Sequence, residues 1–426
     1  MHRDSISDSV DEHLLQRCRW LAAAFGFGQG CCVNVYLSAA GYLGDRFQDK
    51  YFFVWMCAVV YVVPLLVFAL ARALDPYFDR HYGFRKVYQV RLAISMLVGA
   101  LLVALLSAAT IGSRVGNKST ILVLGAAVGA VAGSVASASA QFFGVISPKL
   151  VPLFFLGQTA SGAYVNAAAR VAGFAPDCAD GSVILYFSCG VVVAALPALF
   201  FFVCHYRGSL ELAYRHHHSL TPSTSAAQLS ITTSSDTRSL QDLHREASCW
   251  LRLSRLVASE EKVAIKRLAF LCQVFVVGLN ISLTPLANVL AHGRYDLGQE
   301  IVLFKLLGDF VGRVLFFLLP SPRRLQLHLW LNWAVALLRL PAWIVLVCHA
   351  ASKDIILSDA MLLVIWFPFV VTAALCGSWL QVVAIQAVEE PAKRGTAAQM
   401  NVAVYLGFLS GVVFAAAFSI AAKDAS

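Results

Sequence analysis

The sequence predicts an all-α, polytopic membrane protein, and three observations support this fold class. The 426 residues are 59% hydrophobic and 13% charged, whereas a soluble domain is about 25% charged. The mean hydropathy is +0.72. Apolar runs long enough to cross about 30 Å of hydrocarbon, which takes about 20 helical residues, recur along the whole chain. These observations exclude a soluble globular fold.

Eleven apolar runs are predicted to be membrane-spanning helices. In chain order they lie at about 18–43, 52–74, 88–112, 120–147, 150–174, 183–205, 265–290, 299–320, 325–349, 359–386 and 396–421. The fourth and fifth runs are separated by the short segment SPKLVP, where Pro148 and Pro152 interrupt the helix. A count of ten, with these two runs merged, is the alternative.

The distribution of Lys and Arg predicts the orientation, because cytoplasmic loops retain basic residues. With the N-terminus in the cytoplasm, the inner segments hold most of the basic residues, among them Arg17, Arg19, Arg80, Arg85, Lys86, Lys149, Arg323, Arg324, Lys393 and Arg394. An odd number of spans then places the C-terminus outside. The net charge of +9 follows from the same bias, and we do not expect nucleic acid as a partner.

A polar stretch at 206–262 divides the chain. It contains HHHSLTPSTSAAQLSITTSSDTRSLQD, which is rich in Ser and Thr and poor in aromatic residues, so we expect a disordered, basic cytoplasmic loop. The predicted domains are an N-terminal six-helix bundle at 1–205, this loop, and a C-terminal five-helix bundle at 263–426. Two bundles joined in this way form a major-facilitator-like arrangement, in which one half rocks against the other about a site at mid-membrane.

Two charges interrupt the apolar run KLLGDFVGRVLFFLLP at 305–320. Asp309 and Arg313 lie four residues apart, on one face of a helix, and a lone charge at the centre of a membrane costs about 2.5–3.5 kcal/mol. The two residues either form an ion pair that holds this helix in the bundle, or line a water-accessible path. Ionisable residues inside a membrane favour the second interpretation. The residue chemistry indicates a transporter of a polar solute.

Around this pair the sequence resembles the equilibrative nucleoside transporter family. That family carries an Asp-x-x-x-Arg with Gly before the Arg in its eighth span, matched here by Asp309, Gly312 and Arg313. Similar stretches follow the order of the family's motifs over nearly the whole chain: GFGQGCCVN at 26–34, VVPLLVF at 62–68, GQTASG at 157–162, ISLTPLANV at 281–289 and PAKRGTAAQMNVAVYLGFLSG at 391–411.

The resemblance implies a facilitative transporter that moves nucleosides, and also nucleobases, by alternating access. Asp309 and Arg313 would contact the ribose, because a carboxylate accepts hydrogen bonds from a diol and a guanidinium donates them. The other substrate-binding candidates are Gln141 and Ser137 near the base, Val33, Leu37, Val62 and Leu65 as apolar walls, and Asn34, which either braces the first helix or contacts the ligand. The structural or gating candidates are Gln158 in a helix contact, Arg339 paired with a carbonyl or with Asp309, and Pro285.

The sequence carries no recognisable catalytic or metal-binding constellation, so we expect no enzyme, no cofactor and no metal, and a solvated His216–His218 triplet. The expected partners are nucleosides or nucleobases and the surrounding lipids, and the expected location is the plasma membrane. Three alternatives use the same scaffold: a nucleobase carrier, an organic-cation carrier and a proton-coupled carrier. A non-transporting membrane receptor or scaffold is a further alternative, and the oligomeric state is not predicted.

Overall fold

A computed structural model describes residues 4–47, 52–112, 118–175, 178–211, 213–214, 241–292, 294–319, 324–352 and 355–424. The helices are α1 (Asp4–Ser38), α2 (Ala40–Phe47), α3 (Phe52–Tyr88), α4 (Ser95–Gly112), α5 (Lys118–Ile146), α6 (Leu150–Ala172), α7 (Asp180–Tyr206), α8 (Gln241–Leu283), α9 (Ala287–Leu290), α10 (Tyr295–Leu318), α11 (Leu325–Leu338), α12 (Leu340–Ala351), α13 (Asp359–Gln386) and α14 (Glu390–Asp424). The predicted all-α, polytopic fold class is confirmed.

Nine helical stretches in the described ranges are long and apolar enough to cross a membrane. Two predicted spans, at 150–174 and 299–320, form the helices α6 and α10, of 23 and 24 residues, which do not belong to the nine. Polar residues lower the hydropathy of α6, and Lys305, Asp309 and Arg313 lower that of α10. These two helices contact each other. One group of polar side chains in the described spans therefore lies at the contact between α6 and α10.

The break between the fourth and fifth spans lies where the prolines predict it. Helix α5 ends at Ile146 and α6 begins at Leu150, so the two runs form separate helices. In the described part of the chain these two runs are therefore not merged into one span.

Close helix contacts build the first half of the bundle, where α1 packs on α6, α3 on α5 and α4 on α7. At the α1–α6 crossing an ideal Cβ at Gly157 would lie 2.1 Å from the carbonyl oxygen of Ala23, and one at Gly26 would lie 1.7 Å from that of Phe154. A side chain at either position would push the helices apart. Such close packing drives helix association in lipid, where burial of apolar surface contributes little.

In the second half, α8 packs on α13 and α14, and α10 and α11 pack on α13. The halves meet where α14 contacts α3 and α5 and where α10 contacts α6. An apolar cluster of Cys57, Ile281 and Val412, with Leu37 and Tyr61 against it, joins helices of both halves. The division into domains at 1–205 and 263–426 stays a prediction.

Helix α8 begins earlier than expected, inside the segment 206–262 that was predicted to be a loop. The sequence from 241 to 277 contains no Gly or Pro and many good helix formers, so nothing ends the helix before the membrane. Residues 215–240, which include the His216–His218 triplet, lie outside the described residues.

Two local breaks shape the spans. Helix α3 bends at Gly83, whose φ of 73° lies in the left-handed region, and the π-helical segment Gln89–Ile94 leads from α3 into α4. Pro285 lies in the short 3-10 turn Thr284–Leu286 that ends α8, as a residue without an N–H would. We call the end of the bundle that carries the Gly83 bend, the α5–α6 junction and the start of α14 the inner end, which is predicted to face the cytoplasm.

Candidate functional site

Three charged residues form a stripe along α10, because Lys305, Asp309 and Arg313 are spaced four residues apart. The Lys305 Nζ lies 3.2 Å from the Asp309 Oδ2, and Asp309 is only 9% exposed. The carboxylate therefore has its cation on the same helix, in a residue that the sequence analysis did not single out. We call these three residues the α10 stripe.

Arg313 does not form an ion pair with Asp309, which was one of the two predicted arrangements, but reaches across to α6. Its Nε donates a hydrogen bond to the Thr159 Oγ1 at 3.1 Å, and its Cζ lies 5.2 Å from the centre of the Phe155 ring. Phe155 and Thr159 are one turn apart on α6. A guanidinium has five N–H donors, and in the described part of the chain only the Nε donor of Arg313 makes a hydrogen bond. The others are available to a ligand.

Two glycines explain why the stripe faces α6. Gly308 and Gly312 each precede a charged residue of the stripe, and both lie against α13. An ideal Cβ at Gly312 would come within 2.3 Å of the Val371 carbonyl oxygen, and one at Gly308 within 3.1 Å of the Val370 Cβ. The close approach to α13 fixes the rotation of α10 about its axis. The face that carries Asp309 and Arg313 is thereby turned toward the other half.

Helix α3 supplies further groups near the stripe. Tyr61 lies within electrostatic range of Asp309, and Cys57, one turn earlier, lies within that of Lys305. The Tyr61 ring also packs against Phe408 of α14, with 4.7 Å between ring centres. In the first half, α10 contacts α6, and these two side chains of α3 lie in the neighbourhood of the stripe.

A second polar cluster lies at the inner end and includes two predicted base contacts. The Gln141 Nε2 donates to the Asp75 Oδ2 at 3.0 Å, and the Ser137 Oγ accepts from Arg91 at 3.0 Å. Arg91 also pairs with Asp75 at 2.6 Å. Ser137 and Gln141 are therefore bound to charged groups of α3 and the π-helical segment.

Arg394 connects this cluster to α14. It pairs with Asp79 at 2.6 Å and donates to the Gln141 Oε1 at 3.2 and 3.3 Å. Its Cζ lies over the rings of Phe84 and Tyr88, at 5.0 and 5.7 Å. These residues, together with Asp75, Arg91 and Ser137, are called the inner-end network. Its hydrogen bonds engage both the donor and the acceptor of the Gln141 amide, which leaves no free edge for a base in this conformation.

Two residues on the α1–α6 crossing have structural contacts. The Asn34 Nδ2 donates to the Ser161 Oγ at 2.9 Å, a hydrogen bond that joins α1 to α6; whether Asn34 also contacts a ligand stays a prediction. Gln158 lies at the same crossing, where its Cα and carbonyl oxygen would each be 2.8 Å from a Cβ at Gly30. The contact at Gln158 is therefore made by its backbone, whereas a side-chain hydrogen bond between helices was expected.

The predicted apolar walls are placed differently from one another. Val62 lies on an exposed stripe of α3 with Leu66, Leu70 and Leu74, which are 37% to 60% exposed. This spacing of four is typical of a lipid-facing surface, so the prediction of Val62 as a wall of the site is not supported. The other three predicted walls are Leu37 and Leu65, which are partly buried, and Val33, which is buried in the first half.

Arg339 is held by the backbone. It donates to the carbonyl oxygens of Phe369 and Val276, both at 3.2 Å, and its Cζ lies 4.2 Å from the centre of the Phe369 ring. One of the two arrangements expected for it, a pairing with a carbonyl, is therefore present. Among the described residues no three His, Cys, Asp or Glu side chains gather in a way that could hold a metal ion.

No protein-family model matches the chain, and neither does any curated protein. Among solved structures, the chain is similar to the major facilitator superfamily proton:xylose symporter XylE bound to 6-bromo-6-deoxy-D-glucose, with a TM-score of 0.64 and 14% identity over 97% of this chain and 90% of that chain. It also resembles the E. coli fucose:proton symporter FucP, with a TM-score of 0.45 and 14% identity over 96% of this chain and 98% of that chain.

The similarity to the xylose symporter concerns the fold, since 14% identity carries no information on the solute. The resemblance to equilibrative nucleoside transporters rests on the sequence motifs and stays a prediction. The described spans and the matched architecture together identify the chain as an integral, multi-pass membrane protein with the major facilitator fold.

Proposed function

We propose that the protein is a facilitative transporter of nucleosides, with nucleobases as further solutes, and that it works by alternating access between its two halves. The observation that carries the proposal is the α10 stripe, which turns Lys305, Asp309 and Arg313 of one half onto the other half. A polar solute bound there would contact both halves, as alternating access about a central site requires.

The chemistry of the stripe suits a nucleoside. The ribose diol offers two hydroxyl donors to the Asp309 carboxylate, and the free N–H groups of Arg313 donate to ribose or base oxygens. The buried Phe155 ring lies beside Arg313 and makes this part of the wall apolar, which suits the apolar faces of a base. The site thus offers the two kinds of surface that a nucleoside presents.

In this proposal the inner-end network keeps the inner end of the bundle closed during part of the transport cycle. Arg394 ties α14 to Asp79 and Gln141, so the inner end opens only when these contacts separate. In this proposal Gln141 and Ser137 hold the closed end and do not bind the base. In this proposal the N-terminus and the segment 206–262 face the cytoplasm, and the protein lies in the plasma membrane.

The proposal is tested by uptake of labelled adenosine and uridine into proteoliposomes. Arg313→Ala should abolish uptake while the protein stays folded, because it removes the only arginine of the stripe and its contact to α6. Arg294→Ala is the matched control, since Arg294 lies just before the same helix and pairs with Asp359 at 2.5 Å, with about half of each side chain exposed. Normal uptake by the Arg313 variant would contradict the proposal.

The second candidate is a proton-coupled carrier of a sugar-sized solute. The fold match to a proton:xylose symporter and the buried carboxylate of Asp309 favour it. Uptake of a labelled pentose that rises with an inward proton gradient, with no uptake of nucleosides, would replace the first proposal with this one.

A further inference from the structure

A surface pocket of about 530 Å³ lies at the inner end of the first half, and the proposed function gives it no role. The Gly83 bend of α3 forms one wall, and the turn after α7 forms another, since Glu211 and Tyr214 line the pocket. Among the described residues, no atom lies within 4 Å of an ideal Cβ at Gly83, so protein does not fill the space beside the bend. We call this cavity the bend pocket.

Polar side chains from the ends of two spans line the bend pocket. The His205 Nε2, on the last turn of α7, lies 2.6 Å from the Nε2 of Gln89, which begins the π-helical segment. The His205 Nδ1 lies 3.3 Å from the Tyr214 hydroxyl. The imidazole therefore joins both spans to the turn after α7, and contacts within the protein fix the shape of the lining.

The charge of the bend pocket is positive. Arg85 pairs with Glu211 through its Nη2, and its Cζ lies 5.5 Å from the centre of the Tyr214 ring, so the guanidinium is held in place. Lys86 is exposed and lines the same pocket, and no described acid pairs with it. Arg207, also exposed, directly follows α7. Of the described acidic residues, Glu211 alone lines the pocket.

Apolar side chains that face the lipid lead to the bend pocket from the membrane interior. Val90 and Ile94 on the π-helical segment and Leu199 and Val203 on α7 are 44% to 55% exposed, and the two elements pack on each other. Lining residues of the pocket follow at the inner end of both rows. Tyr206, which is 82% exposed, is a typical anchor at the membrane surface. A lipid whose acyl chains cover these rows has its headgroup at the level of the pocket.

We propose that the bend pocket binds the phosphate headgroup of an anionic phospholipid in the leaflet around the inner end. A guanidinium donates paired hydrogen bonds to phosphate oxygens, and an ammonium adds a compact charge, so Arg85 and Lys86 recognise the phosphate. Arg207 strengthens the attraction, since each Lys or Arg near an anionic leaflet raises the affinity about fivefold. The centre of the Phe84 ring, which also lines the pocket, lies 5.0 Å from the Arg394 Cζ. The bound headgroup therefore adjoins the inner-end network.

The test titrates the detergent-solubilised protein with dioctanoyl phosphatidylinositol 4-phosphate and measures bound lipid by native mass spectrometry. Dioctanoyl phosphatidylcholine has the same chains and no net charge, and inositol 1,4-bisphosphate is the headgroup without chains. Wild type should bind the anionic lipid at least about tenfold more tightly than either compound, because only this lipid combines the charge with the acyl chains.

Variants locate the bound lipid. Arg85→Gln combined with Lys86→Gln should weaken binding of the anionic lipid more than about tenfold, whereas Arg85→Lys combined with Lys86→Arg keeps both charges and should bind nearly as wild type does. The matched control is Lys262→Gln combined with Arg324→Gln, which removes two cations from a pocket of about 490 Å³ at the inner end of the second half. Its binding should be unchanged. All four side chains are exposed, so each variant should unfold at the wild-type temperature.

Three results would overturn the inference. Phosphatidylcholine could bind as tightly as the anionic lipid, or both removal variants could lose binding equally, which would indicate general attraction to a basic surface. Inositol 1,4-bisphosphate could bind as tightly as the lipid, which would identify a soluble phosphate compound as the ligand in place of a lipid. The assay contains no nucleoside, so its outcome is independent of the proposed transport function.

Discussion

Two regions join the halves through an arginine of the C-terminal half, and they are built differently. At the α10 stripe Arg313 donates one hydrogen bond to a neutral hydroxyl, that of Thr159. At the inner-end network Arg394 pairs with the Asp79 carboxylate, donates to the Gln141 amide and lies over two rings. The first arrangement leaves donors for a ligand, whereas the second uses them within the protein. In the proposed function, this difference suits the α10 stripe to solute binding and the inner-end network to closing the inner end through contacts within the protein.

The largest effect is expected from Arg394→Ala, which removes the contacts of Arg394 with Asp79 and Gln141 at the inner end. Removal of one partner from a largely buried ion pair costs about 3–5 kcal/mol, and here the other partner, Asp79, has a side chain only 14% exposed. Uptake should fall more than tenfold while adenosine still raises the thermal unfolding temperature of the purified protein. The measurements are initial uptake and ligand-dependent thermal shift.

A control for this variant is Lys262→Ala. Lys262 pairs with Glu389 at 3.3 Å within one half, with side chains 47% and 79% exposed, and such exposed pairs contribute little. Uptake close to wild type is expected for the control. Equal loss in both variants would mean that charge removal near the inner end, and not the closure itself, limits transport.

A smaller effect is expected from Thr159→Val beside the α10 stripe. It removes the hydroxyl that orients Arg313 and keeps the side-chain shape, and a hydrogen bond to a charged group contributes about 1.5–3 kcal/mol. Binding of adenosine should weaken about tenfold or more, as measured by the concentration needed for the thermal shift. Thr372→Val is the matched control, because the Thr372 hydroxyl bonds only carbonyls of its own helix. If the Thr159 variant binds adenosine as wild type does, the hydrogen bond between Arg313 and Thr159 does not contribute to solute binding.

The smallest effect is expected from Val62→Ala on α3. Val62 belongs to the exposed stripe with Leu66 and Leu70, so truncation should change neither uptake nor adenosine binding by more than about twofold. Dose-dependent thermal shift and uptake at saturating adenosine both test this. A clear loss of affinity would instead support the prediction from the sequence motif that Val62 lines the site.

Hydropathy predicted the spans well because a helix in lipid must be apolar along its length. It could not rank the partners of Asp309, since Lys305 and Arg313 lie four residues from it on either side and both spacings suit an ion pair. The choice depends on α6, where Thr159 and Phe155 attract the arginine. Their spacing of four in LFFLGQT was the available signal.

The position of Gln141 shows a different limit. Its polar side chain in an apolar helix correctly indicated a role in the interior, but its partner Arg394 is 253 residues further along the chain. No local sequence pattern reveals the contact between Gln141 and Arg394. Val62 illustrates a simpler limit. Each residue turns a helix by about 100°, and the spacing of Val62, Leu66 and Leu70 places Val62 on an exposed face of α3.

The polarity of α10 also bears on how the protein is made. Each Lys, Asp or Arg at the centre of a nascent helix opposes insertion by about 2.5–3.5 kcal/mol, while each Leu, Ile, Phe or Val favours it by about 0.3–0.6 kcal/mol. The charges of Lys305, Asp309 and Arg313 nearly offset the apolar side chains of α10. By itself this segment therefore has little or no tendency to pass from the translocon into the bilayer. It enters the bilayer together with neighbouring segments, so that biogenesis of the C-terminal half is cooperative. A chain cut before α13 lacks the glycine-lined contact that fixes the rotation of α10.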